Sequence, residues 1–238
     1  MKSRGESLKI DNVQTFVRNE LIDFTRLSPE TVDLYLSRKK YPQHQLEWNF
    51  WKPDSDENIR WFYVTSRSYI FTNATHRLHP NIVADIPSNS NALDFGGGSG
   101  NYSYSLVNKD CNILYFDISL LQNAFVQFVT SKYKLPITLL SHDEKFMPNL
   151  GEEIVDVILA LDVLEHVPDY HEYIKLFSQH SHKGTKIYLF APFGAGGDPT
   201  HLQDRSNCKN EMANNGFNFG YKIPINHGAN CSVYIKEY

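Results

Sequence analysis

Cysteine is scarce in this chain, with Cys111, Cys208 and Cys231 the only three in 238 residues. They are too few and too scattered for a disulfide framework or a zinc cluster, so reduced thiols and a cytoplasmic location are expected. A basic excess is also missing. Against 27 acidic residues stand 23 basic ones, a formal net charge of −4, and no field draws the chain toward nucleic acid or an anionic membrane; neither is expected as a partner. No apolar run approaches the ~18 residues of a membrane-spanning helix. The start, Met1-Lys2-Ser3-Arg4-Gly5-Glu6, has no apolar stretch of the kind a secretory signal carries. Internal repeats and low-complexity tracts are absent as well. With 41% hydrophobic residues the chain can bury a substantial core, and a monomer or homodimer is expected.

What is present begins at Asp94-Phe95-Gly96-Gly97-Gly98-Ser99-Gly100, a D-x-G-x-G-x-G stretch. Asn91-Ala92-Leu93 reads as the end of a strand and Asn101 to Val107 as a helix, so the glycines occupy a tight strand-to-helix turn. Glycine serves such a turn by reaching positive φ and by letting a ligand approach the backbone where a Cβ would intrude. Dinucleotide folds prefer G-x-G-x-x-G, with pyrophosphate on the helix N-terminus. Here the spacing is shorter, and the acid at Asp94 would repel a phosphate and attract an ammonium.

Asn112 to Phe116 is a β-rich run ending in Asp117, 17 residues after Gly100. A carboxylate at the tip of a second strand can accept hydrogen bonds from both hydroxyls of a ribose. Ser119 is placed to cap a helix through about Lys132, with Leu120, Ala124, Phe125 and Phe128 on one face. A third strand is expected at Pro136 to Leu140. The clearest apolar run, Ile154 to Leu161, suits a central parallel strand covered on both faces, and it puts Asp162 at a strand's carboxyl end, where open α/β sheets bind ligands. A helix from Asp169 to His182 and strands at Lys186 to Phe190, Phe217 to Ile225 and Cys231 to Glu237 complete the pattern, the last two joined by a hairpin.

These segments, in this order, resemble the class I S-adenosylmethionine (SAM) methyltransferases of small molecules. The glycine stretch resembles their motif I. Asp162-Val163-Leu164-Glu165-His166-Val167 resembles the D/E-x-L-E-H-V segment after their fourth strand, and Ser141 to Pro148 their D-x-x-x-x-P loop. The resemblance implies an α/β, doubly wound, Rossmann-like sheet of seven strands, mostly parallel with an antiparallel last strand. It also implies SAM as cofactor, held by Asp94, Gly96, Gly98, Gly100, Asp117, Asp143 and Asp162, with Asp143 facing the adenine amino group. His166 and His201 are the candidate catalytic bases if the acceptor is a hydroxyl. His201 lies in the glycine-rich stretch Ala191 to Leu202, which reads as a loop able to close over the site.

Glu165 and His166 admit a structural reading and a metal reading. In small-RNA 2′-O-methyltransferases and quinone-pathway O-methyltransferases an E-x-x-E-H segment binds a divalent ion, and Asp162, Glu165, His166 and His201 nearly reproduce it. Carboxylates with imidazole would suit Mg, Mn, Fe or Zn. The shorter acid at 162 weighs against that, so no metal ligand is assigned.

Residues 1–85 are expected to form an N-terminal helical cap that selects the acceptor, ahead of a SAM-binding domain at 86–238. Val13, Phe16, Val17, Leu21 and Phe24 recur at helical period after a possible capping box of Asp11 and Gln14, and Ser28-Pro29 starts a second helix. Trp48, Trp51, Trp61, Tyr63 and Tyr69 read either as core packing or as an acceptor pocket. The leading function is SAM-dependent methyl transfer to a small-molecule acceptor, in secondary or specialised metabolism. A nicotinamide-dependent oxidoreductase and a catalytically silent methyltransferase fold acting through interactions are the alternatives.

Overall fold

The computed structural model describes residues 8–37, 43–75, 78–193, 207–225 and 229–238, with the side chains of 43–45 excepted. Six helices come first: α1 Val13–Thr25, α2 Pro29–Leu36, α3 Gln43–Trp51, α4 Asp56–Thr65, α5 Tyr69–Ala74 and α6 Pro80–Asp85. Then strands and helices alternate as β1 Asn91–Phe95, α7 Asn101–Val107, β2 Asn112–Phe116, α8 Leu120–Tyr133, β3 Ile137–Leu139 and β4 Val155–Leu161. A 3₁₀ turn at Leu164–His166 leads to α9 Tyr170–Gln179, β5 Ser181–Phe190, α10 Cys208–Asn214, β6 Phe217–Pro224 and β7 Asn230–Lys236.

The seven strands form one sheet in the order β3-β2-β1-β4-β5-β7-β6. Neighbours from β3 to β5 pair in parallel, and β7 runs antiparallel to both β5 and β6. Strand order reverses between β1 and β4, so their carboxyl ends border the crevice where a doubly wound sheet takes its ligand. Side chains alternate across the sheet as the strand period requires. Val157 and Leu159 of β4 join the core under α1, α7 and α8; Ile158 and Ala160 join the core under α9 and α10.

Several local expectations shift. The N-cap of α1 is Asn12, whose side chain accepts from the Thr15 N–H, so the Asp11–Gln14 box does not form. Ser28 caps α2 and Ser119 caps α8 as read, but Leu120 is 63% exposed and the buried face of α8 runs through Gln122, Phe125, Val126 and Val129. The chain leaves α9 at Gln179 rather than His182, because Val155 already pairs with Ser181 and draws residues 181–185 into β5. The turn between β6 and β7, at 226–228, lies outside the described residues.

Candidate active site at the carboxyl ends of β1 and β4

Gly96, Gly98 and Gly100 have φ of +67°, +57° and +78°, the left-handed region open to glycine at little cost. The turn they make is held from the sheet side. The N–H groups of Gly96 and Gly97 donate to the Phe116 carbonyl at 2.8 and 3.1 Å, extending the β1–β2 ladder past the strand ends. The Gly98 N–H donates to Asp117 Oδ2 at 2.9 Å, and the Tyr115 hydroxyl donates to the Gly98 carbonyl at 2.5 Å.

Protein neighbours impose part of the glycine requirement. A Cβ on Gly96 would meet Val163 at 2.4 Å, one on Gly97 the Tyr115 ring at 2.6 Å, and one on Gly98 the Asn73 and Gln122 side chains at 3.0 and 3.1 Å. Gly96→Val is therefore expected to strain the fold itself, whatever it does to a ligand. Gly97, which the motif pattern passes over, is as crowded as its neighbours.

Two carboxylates stand under this turn. Asp94 Oδ2 accepts from the Ser103 N–H at 3.1 Å and from its hydroxyl at 2.6 Å; Asp117 Oδ1 accepts from the Ser119 N–H at 2.8 Å. Burial pushes both acids up to about 6, against the opposing pull of those hydrogen bonds. Asp117 thus fastens the glycine turn to β2, a role additional to the ribose contact read from the sequence.

The opposite wall is the end of β4. Asp162 has φ +60° and donates its N–H to the Phe190 carbonyl at 2.7 Å, which turns the chain sharply into the 3₁₀ turn. That turn brings one possible ligand atom each from Asp162, Glu165 and His166 within 4.8 Å of one another. Glu165 is fully buried, and among the described residues neither of its carboxylate oxygens has a hydrogen-bond partner. Burial, followed by the facing charge of Asp162, holds its carboxyl well above the usual range. The Tyr63 hydroxyl of α4 lies 2.9 Å from His166 Nδ1.

A cleft between the two walls is lined by Asn73, Asp94, residues 96–98, Asn101 and Asp162. Asn73 comes from α5, where its Nδ2 donates to Gln122 Oε1 at 3.0 Å and its carbonyl accepts from Asn101 Nδ2 at 3.1 Å; Ser99 adds a hydroxyl bond to the Ile70 carbonyl at 2.8 Å. Among the described residues, the lining carries two acids and no Lys, Arg or His. Such a surface suits a ligand with an ammonium and a sulfonium, and it would repel a pyrophosphate. The residues present fit SAM on that ground.

Asp143 is not among the residues that line this cleft. It is exposed, and its Oδ1 accepts from the N–H groups of Lys145 and Met147 at 2.8 and 2.9 Å, closing its own turn. His201 lies outside the described residues. Asn73, Asn101 and Tyr115 escaped the sequence reading, while Tyr63 was read only as core packing or acceptor pocket; the unbroken glycine run gave a usable signal for Gly97.

A family model described as a methyltransferase domain matches residues 63–207, more than half of the chain. The chain belongs to this family. Solved structures agree on the fold. TehB from Haemophilus influenzae is 18% identical with a TM-score of 0.55 over 71% of this chain and 67% of that one. A TehB-like SAM-dependent methyltransferase from Corynebacterium glutamicum is 15% identical, TM-score 0.52, over 66% and 86%. An O-methyltransferase family 2 protein from Planctomyces limnophilus, in complex with apigenin, is 14% identical, TM-score 0.53, over 77% and 62%. Curated proteins give no sequence match. The methyltransferase-domain match speaks for methyl transfer and against the oxidoreductase alternative. All three cysteines of this methyltransferase are buried free thiols, and no helix among the described residues is long and apolar enough to cross a membrane.

Proposed function

We propose that the chain transfers the methyl group of SAM to a small-molecule acceptor of secondary or specialised metabolism, with residues 1–85 acting as the acceptor-selecting cap over a catalytic domain at 86–238. The observation that carries the cofactor half is the cleft lined by the glycine backbone and by Asp94 and Asp162, with no basic side chain among the described residues that line it. Methyl transfer is an in-line displacement, so the protein's main contribution is to hold donor and acceptor aligned and dry. Asp94 would attract the amino group of SAM, the glycine turn would admit its methionine portion, and Asp117 would reach the ribose.

The acceptor would lie between α4 and the 3₁₀ turn. Aromatic side chains gather there: Tyr63 packs on Tyr69 and on His166 at centroid distances of 5.3 and 5.4 Å, and Trp61 meets Phe146 edge-on at 5.9 Å. These surfaces favour a flat, partly apolar molecule, and the Asp162–Glu165–His166 group supplies the polar end that an acceptor oxygen would need.

Titration calorimetry with SAM, S-adenosylhomocysteine and NADH tests the cofactor, and labelled SAM with a panel of phenols, carboxylates and amines tests the acceptor. Binding of the first two at micromolar levels, with no NADH binding and label in a small product, is expected. SAM binding without label transfer to any small molecule would favour the silent, interaction-based reading instead.

A further inference from the structure

We propose that Asn73 of α5 accepts a hydrogen bond from the amino group of the methyl donor, so that the cofactor cleft is completed by the N-terminal helices and not by the α/β half alone. This contact rests on the SAM reading of the cleft and goes beyond it, because residues 1–85 then hold the cofactor as well as the acceptor.

α5 is brought to the cleft by hydrogen bonds on both sides of the glycine turn. The Ser99 hydroxyl donates to the Ile70 carbonyl at 2.8 Å, Asn101 Nδ2 donates to the Asn73 carbonyl at 3.1 Å, and Asn73 Nδ2 donates to Gln122 Oε1 at 3.0 Å. Packing holds the same turn of helix. Ile70 and Ala74 belong to the core that contains Tyr104 and Phe125, and Tyr35 of α2 stacks on Phe71 at a centroid distance of 4.8 Å. Asn73 therefore stands against the middle of the glycine turn: its Cβ and Nδ2 both lie 3.0 Å from the point that a Cβ on Gly98 would occupy. It lines the same cleft as Asp94, Gly98 and Asp162.

With Nδ2 committed to Gln122, Oδ1 is the polar atom that Asn73 can offer to the cleft. An ammonium has three protons to donate, and this oxygen would stand with the two carboxylates as a further acceptor. Being neutral, it adds an acceptor without adding repulsion between Asp94 and Asp162. Because α5 is already fastened, the ligand would not bear the cost of ordering that acceptor. Gln122, by contrast, is 3% exposed and is not among the residues that line the cleft, so it can reach the ligand only through Asn73.

That difference supplies the test, which uses the full chain at pH 8, calorimetry with SAM and with S-adenosylhomocysteine, and the melting temperature of each variant without ligand. Asn73→Ala should weaken both ligands about tenfold, since both carry the amino group. Gln122→Ala severs the same side-chain bond from outside the cleft and should stay within about threefold of wild type. Asn73→Asp can still accept, and Gln122 can turn its amide to donate to it; this variant should bind at least as tightly as wild type. Unchanged affinity in Asn73→Ala overturns the proposal, and so do equal losses in Asn73→Ala and Gln122→Ala, which would leave Asn73 a fastening only. A loss in Asn73→Asp as large as that in Asn73→Ala overturns it too, by showing that a donor is needed, as does a loss confined to SAM, which moves the contact to the sulfonium. Should Asn73→Ala not fold, the affinity of Asn73→Asp decides. Wild type that binds neither ligand refutes the cofactor reading and this contact together, whereas tight wild-type binding that Asn73→Ala leaves intact refutes the contact alone.

Discussion

Asp94 and Asp117 carry most of the consequences that a single residue can have here. Both titrate near 6 in the fold against about 3.8 outside it, so between roughly pH 4 and 6 the folded chain keeps protons that the unfolded chain has released. Stability from this source is present below about pH 4 and is lost as pH rises through about 6. Asp94→Asn removes one of the two titrations and can still accept from Ser103. Its melting temperature relative to wild type, both without ligand, should therefore rise between pH 4.5 and 7; two parallel curves would mean that Asp94 ionises freely. SAM affinity should move the other way and strengthen as pH rises through the same window, because only ionised Asp94 attracts an ammonium. Asp117→Ala should weaken SAM binding about 10- to 150-fold, the equivalent of about 1.5–3 kcal/mol for a charge-assisted contact. A loss under about threefold, with the melting temperature lowered, would leave Asp117 only its fastening role at Gly98.

Among elements, α1 is tied to α8 by a polar clasp as well as by apolar contact. Glu20, 5% exposed, accepts from Lys132 Nζ at 2.8 Å and from the Tyr133 hydroxyl at 2.7 Å. Phe16 meets Tyr104 edge-on at 5.4 Å, directly behind the glycine turn. Glu20→Ala leaves the Tyr133 hydroxyl without its acceptor, while the exposed Lys132 keeps Asp23 at 3.1 Å; it should cost about 1–2 kcal/mol in urea unfolding, while Glu20→Gln, which keeps an acceptor for Tyr133, should cost less than half of that. Equal losses in the two variants would mean that charge matters more than the hydrogen bonds. Elsewhere, α4 reaches His166 through Tyr63, and α5 reaches Gln122 through Asn73.

At the scale of the whole molecule, the N-terminal helices and the sheet share one core. Val17, Leu21, Val32 and Ile70 pack in the same cluster as Tyr104, Ile113, Tyr115 and Val157. A fragment of residues 86–238 would expose that surface, and it should lose cooperative melting and bind a hydrophobic dye even though it holds every strand. A sharp melting transition with unchanged SAM affinity in the fragment would show that the sheet folds without its helices.

The sequence by itself determined the features whose causes are local. The apolar run of β4, the serine caps of α2 and α8 and the glycines at 96, 98 and 100 are each dictated by a period, a side-chain oxygen or a φ angle within a few residues, and their order along the chain was enough for the sheet and the family. Tertiary structure decided the rest. Asn73 meets Gln122 across 49 positions and Tyr63 meets His166 across 103, separations that leave no trace in a local pattern. Asp143 matched its motif, yet its carboxylate closes a turn that only the folded loop reveals. The isolation of Glu165 was equally invisible, because a missing partner is a property of everything packed around a side chain and not of the residues beside it in the chain.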